Sequence, residues 1–511
     1  MQSYSILFPK LEGAFSEQPQ QPAFFPDVGL DQLIEVLLKE RGQYDLREYF
    51  YHPLGEVESI TYRQEVMRDL EDREVLDALR RFSSTISRVR QYLEGVETIG
   101  FKYHQQGCFL EASLEYIKAC ICLERELATL PLASRGLVLF REYLQRYIHS
   151  SHFSSLKDRA LQIQEMLRRL RYCIKIAGNG FQVFPYEGQE EYTPYIEALF
   201  EKFWEEGEER EFFKLEETQR GYMNHIEEKI LEFVARLFPR PFALLEDFFE
   251  EIDCLMDKTI ERFDRELQFY LAYLEFMESL RKEGYSFCYP VVTSSKEVCV
   301  TGGYDVFLAH SLREKGENVV SNDFSLSGEE RILVITGPNQ GGKTTFARMV
   351  AQVHYLALLG LQVPATYARV FLCDKILTHF ERRESLTNFQ GKLEEELFRI
   401  YEILSTSTSR SLIILNELFS STTLQDALFL NKEILTLISN QDAICVCVTF
   451  IEELSFLNKK TVSMVAQVEE HDPTIRTFKI IRQQANGMAY AFSLAHRHGL
   501  TYGQIKERIV R

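Results

Sequence analysis

The stretch ITGPNQGGKTTFARM, residues 335–349, decides the fold of the C-terminal part of this chain. Within it, Gly337–Thr344 matches the pattern G-x-x-x-x-G-K-[ST], in which glycine-rich backbone and a lysine surround phosphate groups. The apolar run Ile332–Ile335 comes directly before it and predicts a strand, and Thr345–Leu359 predicts a helix. Because this pattern binds nucleotides between a strand and a helix, the context favours a nucleotide site over a chance glycine turn that carries a lysine.

The loop residues have separate expected tasks. Glycines let successive backbone N–H groups turn toward phosphate oxygens, and the start of the following helix presents its positive end to the same anion. Lys343 supplies a mobile charge for the β- and γ-phosphates and is a predicted catalytic residue, and the Thr344 hydroxyl is placed to bind Mg²⁺. The expected ligands are a nucleoside triphosphate and Mg²⁺. The predicted nucleotide-binding residues are Gly337, Pro338, Asn339, Gln340, Gly341, Gly342, Lys343, Thr344 and Thr345.

A second apolar run, SLIILNE at residues 411–417, predicts a core strand that ends in polar residues. Such strands in nucleotide-hydrolysing proteins usually end in Asp-Glu, where the Asp holds Mg²⁺ and the Glu orients or deprotonates the attacking water. Here the first position is Asn416, which is neutral but can hydrogen-bond a magnesium-bound water. We therefore predict Thr344 and Asn416 as the metal-binding pair and Glu417 as the catalytic base. The alternative is that Glu417 is an ordinary acid at the end of a surface strand.

Composition limits the class of protein. The chain has 511 residues, 45% of them hydrophobic and 26% charged, which is typical of globular proteins and long enough for several domains. It has no apolar run of about 18 residues and no signal-peptide pattern, and its ten cysteines include no C-x-x-C pair, so we expect a cytoplasmic protein without membrane contact. The net charge of −18 means that any nucleic-acid binding must use a local basic surface.

The pattern of apolar residues predicts a multidomain protein: a mostly α-helical N-terminal core and lever region, followed by an α/β domain. Residues 1–45 form an N-terminal segment, 46–287 the helical domain and 288–511 the α/β domain. Further core strands are predicted at Leu412–Leu415 and Ile444–Thr449. Breaks between helices are expected at Leu130-Pro131, at residues 178–188 and at Phe238-Pro239.

The motifs resemble those of one family. The segment GPNQGGKTTFARMVAQVHYLALLGLQVPA, residues 337–365, resembles the ATPase segment of the MutS mismatch-repair proteins, and LIILNELFSSTTLQDALFL, residues 412–430, resembles the strand and D-loop that follow, with Asp426 at the D-loop acid. Residues 485–509 resemble the closing segment of that domain, and residues 51–72 resemble the start of the helical core. The resemblance implies a P-loop ATPase domain of the ABC type, a homodimer with ATP between two ATPase domains, and double-stranded DNA as a partner.

The chain also departs from the pattern of that family. A metal-binding Asp is replaced by Asn416, a switch His by Phe450, and a serine that reaches across the dimer by the segment Phe389-Gln390-Gly391. These departures predict slow ATP hydrolysis. By the same resemblance, Val319 and Val320 flank the adenine.

The first 45 residues are too short for the family's mismatch-recognition domain, which carries a Phe-x-Glu wedge. Phe109-Leu-Glu111 and Phe140-Arg-Glu142 share those letters but lie in apolar helical patterns, so we predict that both pack in the core. Arg168, Arg171 and Lys175 stand at helical spacing and form either a basic stripe for DNA phosphates or, more commonly, a solvated helix face.

Three functions fit these residues. The first is a MutS-like ATPase that couples ATP binding or slow hydrolysis to DNA binding in repair or recombination. The second is a non-hydrolysing, nucleotide-gated scaffold that dimerises and recruits a protein partner, which the acidic charge favours. The third is a small-molecule P-loop kinase, which the long helical half and the lack of an arginine-rich lid disfavour.

Overall fold

A computed structural model describes residues 4–10, 20–177, 180–189, 223–313, 315–381, 392–469 and 475–484, with the single positions 195, 500, 502, 505 and 506. The chain divides into two compact units. The first, here the α/β unit, comprises Met1–Arg68, Ser134–Gly136 and Arg265–Arg511, and the second, the helical unit, comprises Asp69–Ala133 and Leu137–Asp264. In this division the first 68 residues group with Arg265–Arg511, and the domain boundaries at residues 45 and 287 stay a prediction.

The elements are numbered in chain order. The helices are α1 (Phe25–Val28), α2 (Leu30–Leu38), α3 (Arg47–Tyr51), α4 (Val57–Asp69), α5 (Arg73–Thr98), α6 (Lys102–Thr129), α7 (Arg135–Ile148), α8 (Ser151–Arg168), α9 (His225–Leu237), α10 (Pro239–Glu250), α11 (Lys258–Arg281), α12 (Val306–Arg313), α13 (Lys343–Leu358), α14 (Lys392–Thr406) and α15 (Leu424–Gln441), with 3₁₀ turns at Gly42–Tyr44 and Glu452–Phe456. The strands are β1 (Tyr172–Ala177), β2 (Gly180–Pro185), β3 (Val291–Thr293), β4 (Val298–Gly303), β5 (Asn322–Leu326), β6 (Ile332–Thr336), β7 (Tyr367–Phe371), β8 (Ile376–His379), β9 (Leu412–Asn416), β10 (Ile444–Val448), β11 (Thr461–Val468) and β12 (Arg476–Arg482). In the described part of the chain, no helix is both long enough and apolar enough to cross a bilayer.

The helical unit is built on long helices whose buried residues recur every three or four positions, as the sequence predicts. In α5 the buried stripe includes Val75, Leu79, Phe82 and Ile86, and the carboxylate of Asp72 caps the first turn by accepting the N–H of Glu74 and Val75. Helix α4 ends at Asp69 and α5 begins at Arg73, so the apolar positions between Val66 and Leu93 are shared between two helices.

The two Phe-x-Glu sequences lie inside this unit. Phe140 is 1% exposed and stacks on Phe263 with 3.3 Å between ring centroids. Phe109 is 6% exposed and contacts the ring of Phe249 edge-on at 5.2 Å. Both phenylalanines therefore pack in the core, which confirms the prediction and excludes them as a base-contacting wedge in this conformation.

The predicted breaks have different outcomes. Helix α6 ends at Thr129, one residue before Leu130-Pro131, and α10 begins at Pro239, where proline is tolerated at the first helical position. Residues 180–185 form β2, which pairs antiparallel with β1. The helical basic stripe is not formed, because α8 ends at Arg168 while Lys175 lies in β1.

The α/β unit contains a six-stranded sheet in the order β12-β11-β6-β10-β9-β8. Its strands are parallel except β12, which pairs antiparallel with β11. Every residue of β6, β9 and β10 is buried, as expected of central parallel strands covered on both faces. A second, four-stranded sheet has the order β3-β7-β4-β5. The predicted α/β fold is thus confirmed, with mixed sheets.

Helix α13 follows β6 after a six-residue loop and is buried over most of its length. The carboxyl ends of β6, β9 and β10 lie at one edge of the parallel sheet, which is where open α/β sheets bind ligands. That edge brings together the loop before α13 and the residues after β9, which are more than 70 positions apart in the sequence.

Candidate functional site

The loop between β6 and α13 has a backbone that only particular residues can adopt. Gly337 has φ +118° and Gly342 has φ +88°, values that side chains with a Cβ rarely adopt. A Cβ added to Gly337 would lie 3.0 Å from the backbone oxygen of Ala466 in β11. The loop therefore needs glycine both for its turn and for its close contact with the neighbouring strand.

Lys343, the first residue of α13, is turned back over this loop. Its side chain is 4% exposed, and Nζ donates to the backbone oxygens of Gly337 at 2.9 Å and Pro338 at 3.3 Å. Burial lowers the pKa of Lys343; the charge of Glu417 opposes this shift and that of Arg476 adds to it. The lysine charge is thus held at the mouth of the loop, where a phosphate oxygen can replace the backbone carbonyls as its partner.

Thr344 and Asn416 meet at the end of β9. The Thr344 hydroxyl donates to Asn416 Oδ1 at 3.1 Å, and Asn416 is buried. These are oxygen atoms of the kind that Mg²⁺ prefers, but both side chains are neutral. Within the described residues, no group of three or more His, Cys, Asp and Glu side chains could hold a metal ion. The pair fits a Mg²⁺ that arrives with a nucleotide and keeps most of its ligands from phosphate and water.

Glu417 follows directly and is held in an unusual backbone conformation. Its φ is +53°, and its N–H donates to the carbonyl of Val448 in β10 at 2.9 Å. Its Oε1 lies 4.0 Å from Lys343 Nζ. A left-handed residue other than glycine costs about 1–3 kcal/mol, and such strain is found mainly at functional sites. The two residues predicted to be catalytic therefore lie close together, one at the start of α13 and the other after the end of β9.

The structure describes some of the other predicted residues and leaves others outside the described part of the chain. Phe450 follows β10 and is 47% exposed, on the same edge of the sheet as the loop. Val319 precedes β5 and donates its N–H to the Tyr285 hydroxyl at 2.9 Å. The segment Phe389-Gln390-Gly391 and residues 485–499 lie outside the described residues.

Two residues that lie beside the loop were not predicted from the sequence. Arg476, the first residue of β12, donates from Nε to the backbone oxygen of Asn339 at 3.2 Å. Phe478 has its Cδ1 3.6 Å from where a Cβ of Gly342 would be. Both come more than 130 positions after the loop and match no motif, so only the pairing of β12 with β11 places them there.

These features define an α/β protein with a strand–loop–helix of the phosphate-binding pattern and polar groups at the end of an adjacent strand. Residues 333–507 match the family model of MutS domain V. The chain is 32% identical to the DNA mismatch repair protein MutS of Orientia tsutsugamushi (strain Boryong) over 221 residues, 42% of this chain and 25% of that protein. It is 34% identical to the MutS of Carboxydothermus hydrogenoformans over 200 residues, 37% of this chain and 23% of that protein. With the MutS of Aquifex pyrophilus it shares 29% identity over 301 residues, 58% of this chain and 34% of that protein.

Residues 333–507 are thus similar to domain V of the MutS proteins. The aligned stretches span 23–34% of the length of these relatives, so the activities of the whole relatives do not follow from the match alone.

Proposed function

We propose that this chain binds ATP with Mg²⁺ at the loop Gly337–Thr344 and couples binding or slow hydrolysis to the binding of double-stranded DNA. The observation that carries the proposal is the meeting of four side chains at one edge of the sheet. Lys343 and Glu417 lie 4.0 Å apart, and Thr344 hydrogen-bonds Asn416 at 3.1 Å. This arrangement supplies a phosphate-binding charge, a metal-facing pair and a carboxylate in one place.

Each residue then has a defined role. Backbone N–H groups of the loop bind the phosphate oxygens, and Lys343 moves from its carbonyl partners to the β- and γ-phosphates. Thr344 and Asn416 would hold Mg²⁺, whose chemistry is to neutralise charge on the phosphate oxygens. Glu417 accepts a hydrogen bond from the attacking water and orients it toward the terminal phosphate.

Hydrolysis is proposed to be slow. Asn416 offers a metal-bound water a neutral oxygen where an Asp would offer a negative charge. Phe450, at the end of β10, has a side chain that cannot donate a hydrogen bond to a phosphate. The site is therefore better equipped to bind ATP than to hydrolyse it.

DNA enters the proposal through the relatives, which are named as DNA mismatch repair proteins, and a second copy of the chain enters it through the resemblance of the motifs to the MutS family. In this proposal two copies hold ATP between their α/β units, and DNA binding uses local basic groups because the net charge is −18. DNA contacts of this kind position a duplex through its phosphates without reading base sequence.

The test combines nucleotide binding, turnover and DNA binding. ATP affinity and the rate of ATP turnover are measured alone and with homoduplex, mismatched and branched DNA, at low and high salt. We expect ATP binding, turnover slower than a MutS protein measured alongside, and DNA binding that weakens steeply as salt rises. Lys343→Ala is the control and should abolish nucleotide binding. Turnover at the rate of the reference MutS, unchanged by Phe450→Ala, would contradict slow hydrolysis.

A nucleotide-gated scaffold is the second candidate. Asn416 and Phe450 favour it, because they stand where a hydrolysing site of this family would have a metal-binding Asp and a switch His. In that case ATP binds and promotes dimerisation without turnover, and the dimer recruits a protein partner. Failure to bind any DNA form at low salt, together with ATP-dependent dimerisation in sedimentation experiments, would favour the scaffold over the DNA-coupled ATPase.

A further inference from the structure

The edge strand β12 carries an arginine that touches the nucleotide loop. The Arg476 Nε donates to the backbone oxygen of Asn339 at 3.2 Å, and Asn339 is the third residue of the eight-residue loop pattern. The arginine thus brings a positive charge to one side of the loop.

The backbone around Arg476 is fixed to the rest of the α/β unit. The Nδ2 of Asn322 donates to the backbone oxygen of Phe478 at 3.1 Å, and the N–H of Ile480 donates to Asn322 Oδ1 at 2.7 Å. Asn322 is buried, and Phe478 has φ +55°. Because a single buried asparagine holds both sides of this kink, the strand has a defined position along the loop from Asn339 to Gly342.

Cationic side chains at this loop suit an anionic ligand. Lys343 donates to the backbone oxygens of Gly337 and Pro338, and Arg476 donates to that of Asn339. A triphosphate chain brings several negative charges to this region, and an arginine binds phosphate through two parallel N–H groups.

We propose that Arg476 is a phosphate-binding residue that contacts the terminal phosphate of the bound nucleotide from the β12 side and so makes the site prefer ATP over ADP. This inference rests on the proposed nucleotide function. The lysine of this loop pattern reaches the β- and γ-phosphates, and the hydrogen bond to Asn339 holds the Arg476 guanidinium beside the same loop. An arginine placed in cis in this way stabilises the charge of the transferring phosphoryl group.

The experiment measures the dissociation constants of ATP and ADP by calorimetry on the full chain with Mg²⁺. Arg476→Gln keeps a side-chain amide that can donate to Asn339 but removes the charge, and Arg476→Lys keeps the charge without the planar fork. We expect Arg476→Gln to weaken ATP binding about tenfold with little change for ADP, and Arg476→Lys to lie between it and the wild type.

The matched control is Arg482→Gln on the same strand, because Arg482 pairs with Glu330, away from the loop. It should leave both affinities unchanged, and thermal unfolding without nucleotide checks that each variant is folded. An equal loss of ATP and ADP binding in Arg476→Gln would show that Arg476 only supports the loop, and unchanged affinities would also overturn the inference. If the wild-type protein binds no ATP, the proposed nucleotide function fails as well, whereas wild-type ATP binding with an unchanged ATP-to-ADP ratio in the variant overturns the role of Arg476 alone.

Discussion

At the scale of single residues, the proposed chemistry depends most on Asn416, an amide at a position where nucleotide-hydrolysing proteins usually have an acid. Asn416 occupies the end of β9 and accepts the Thr344 hydroxyl at 3.1 Å through Oδ1. An aspartate in the same place would accept the same hydrogen bond, since its shape is nearly identical. The difference between the two side chains is therefore charge, and charge decides how strongly a nearby Mg²⁺ is held.

We predict that Asn416→Asp lowers the Mg²⁺ concentration needed for half-maximal ATP turnover about tenfold and raises turnover severalfold, because a full negative charge faces the metal. The measurement is ATP turnover across a Mg²⁺ titration. Asn458→Asp, which adds the same charge before the amino end of β11, is the control and should change neither value. If the two variants behaved alike, the metal-facing role of residue 416 would be excluded.

At the scale of elements, the opposite edge of the parallel sheet carries a separate ionic cluster. Asp442 ends α15 with φ +63° and accepts Lys296 Nζ at 2.6 Å, Lys460 Nζ at 3.0 Å and Arg331 Nε at 3.0 Å. Burial by itself would raise the pKa of Asp442, but these three cations hold it at about 2, below its ordinary 3.8. The cluster joins the end of α15 to the starts of β4, β6 and β11.

Asp442→Asn should lower the free energy of unfolding at pH 7. The difference in unfolding free energy between the variant and the wild type should shrink as the pH falls from about 4 toward 2. The sign follows from the lowered pKa: the folded state favours the charged carboxylate, so its contribution is present above the unfolded pKa and is lost as protons bind. Asparagine tolerates the left-handed backbone, so the change isolates charge. Urea unfolding at several pH values tests this. Asp45→Asn is the control, because Asp45 also has a left-handed backbone, but its carboxylate lies farther from a cation, 3.8 Å from Arg265. A difference that stayed constant with pH would exclude the charge explanation.

At the scale of the whole molecule, the start of the chain is part of the core of the α/β unit. Ile6 is 2% and Leu7 0% exposed. The hydroxyls of Tyr62 and Tyr270 donate to the backbone oxygens of residues 5 and 6 at 2.7 and 2.9 Å, and the buried Glu266 accepts the N–H of Ile6 at 2.7 Å. Partners up to 264 positions away thus fix this segment, which is why it groups with the sheets.

Leu7→Ala is expected to cost about 2–5 kcal/mol of unfolding free energy, because it removes a fully buried side chain from contacts that cannot close around the gap. The measurement is urea unfolding followed by circular dichroism. Lys10→Ala, three positions later at an exposed residue, should leave the midpoint nearly unchanged. Equal midpoints for the two variants would mean that residues 5–8 are not part of the core in solution.

The features that sequence alone predicted are local ones. Apolar runs predicted β6, β9 and β10, and three- and four-residue spacing predicted the long helices, because burial of a strand or a helix face leaves its period in the sequence. The loop from Gly337 to Thr344 was predicted for the same reason, since its glycines and lysine act through neighbouring backbone. The predicted helical stripe of Arg168, Arg171 and Lys175 was wrong, because α8 ends at Arg168 and the chain continues into the hairpin of β1 and β2.

Contacts between distant residues were decided only by the tertiary structure. Strand order brings Asn416 and Glu417 to the loop, and the antiparallel return of β12 brings Arg476 and Phe478 there. The sequence determined the glycine-rich loop from Gly337 to Thr344 between a strand and a helix, and the mixed helical and α/β composition. The fold decided which side chains surround that loop. Strands pair through backbone hydrogen bonds, which are the same for every pair of strands, so the sequence of a strand does not show which strand lies beside it. Only the packed structure selects among the possible strand orders.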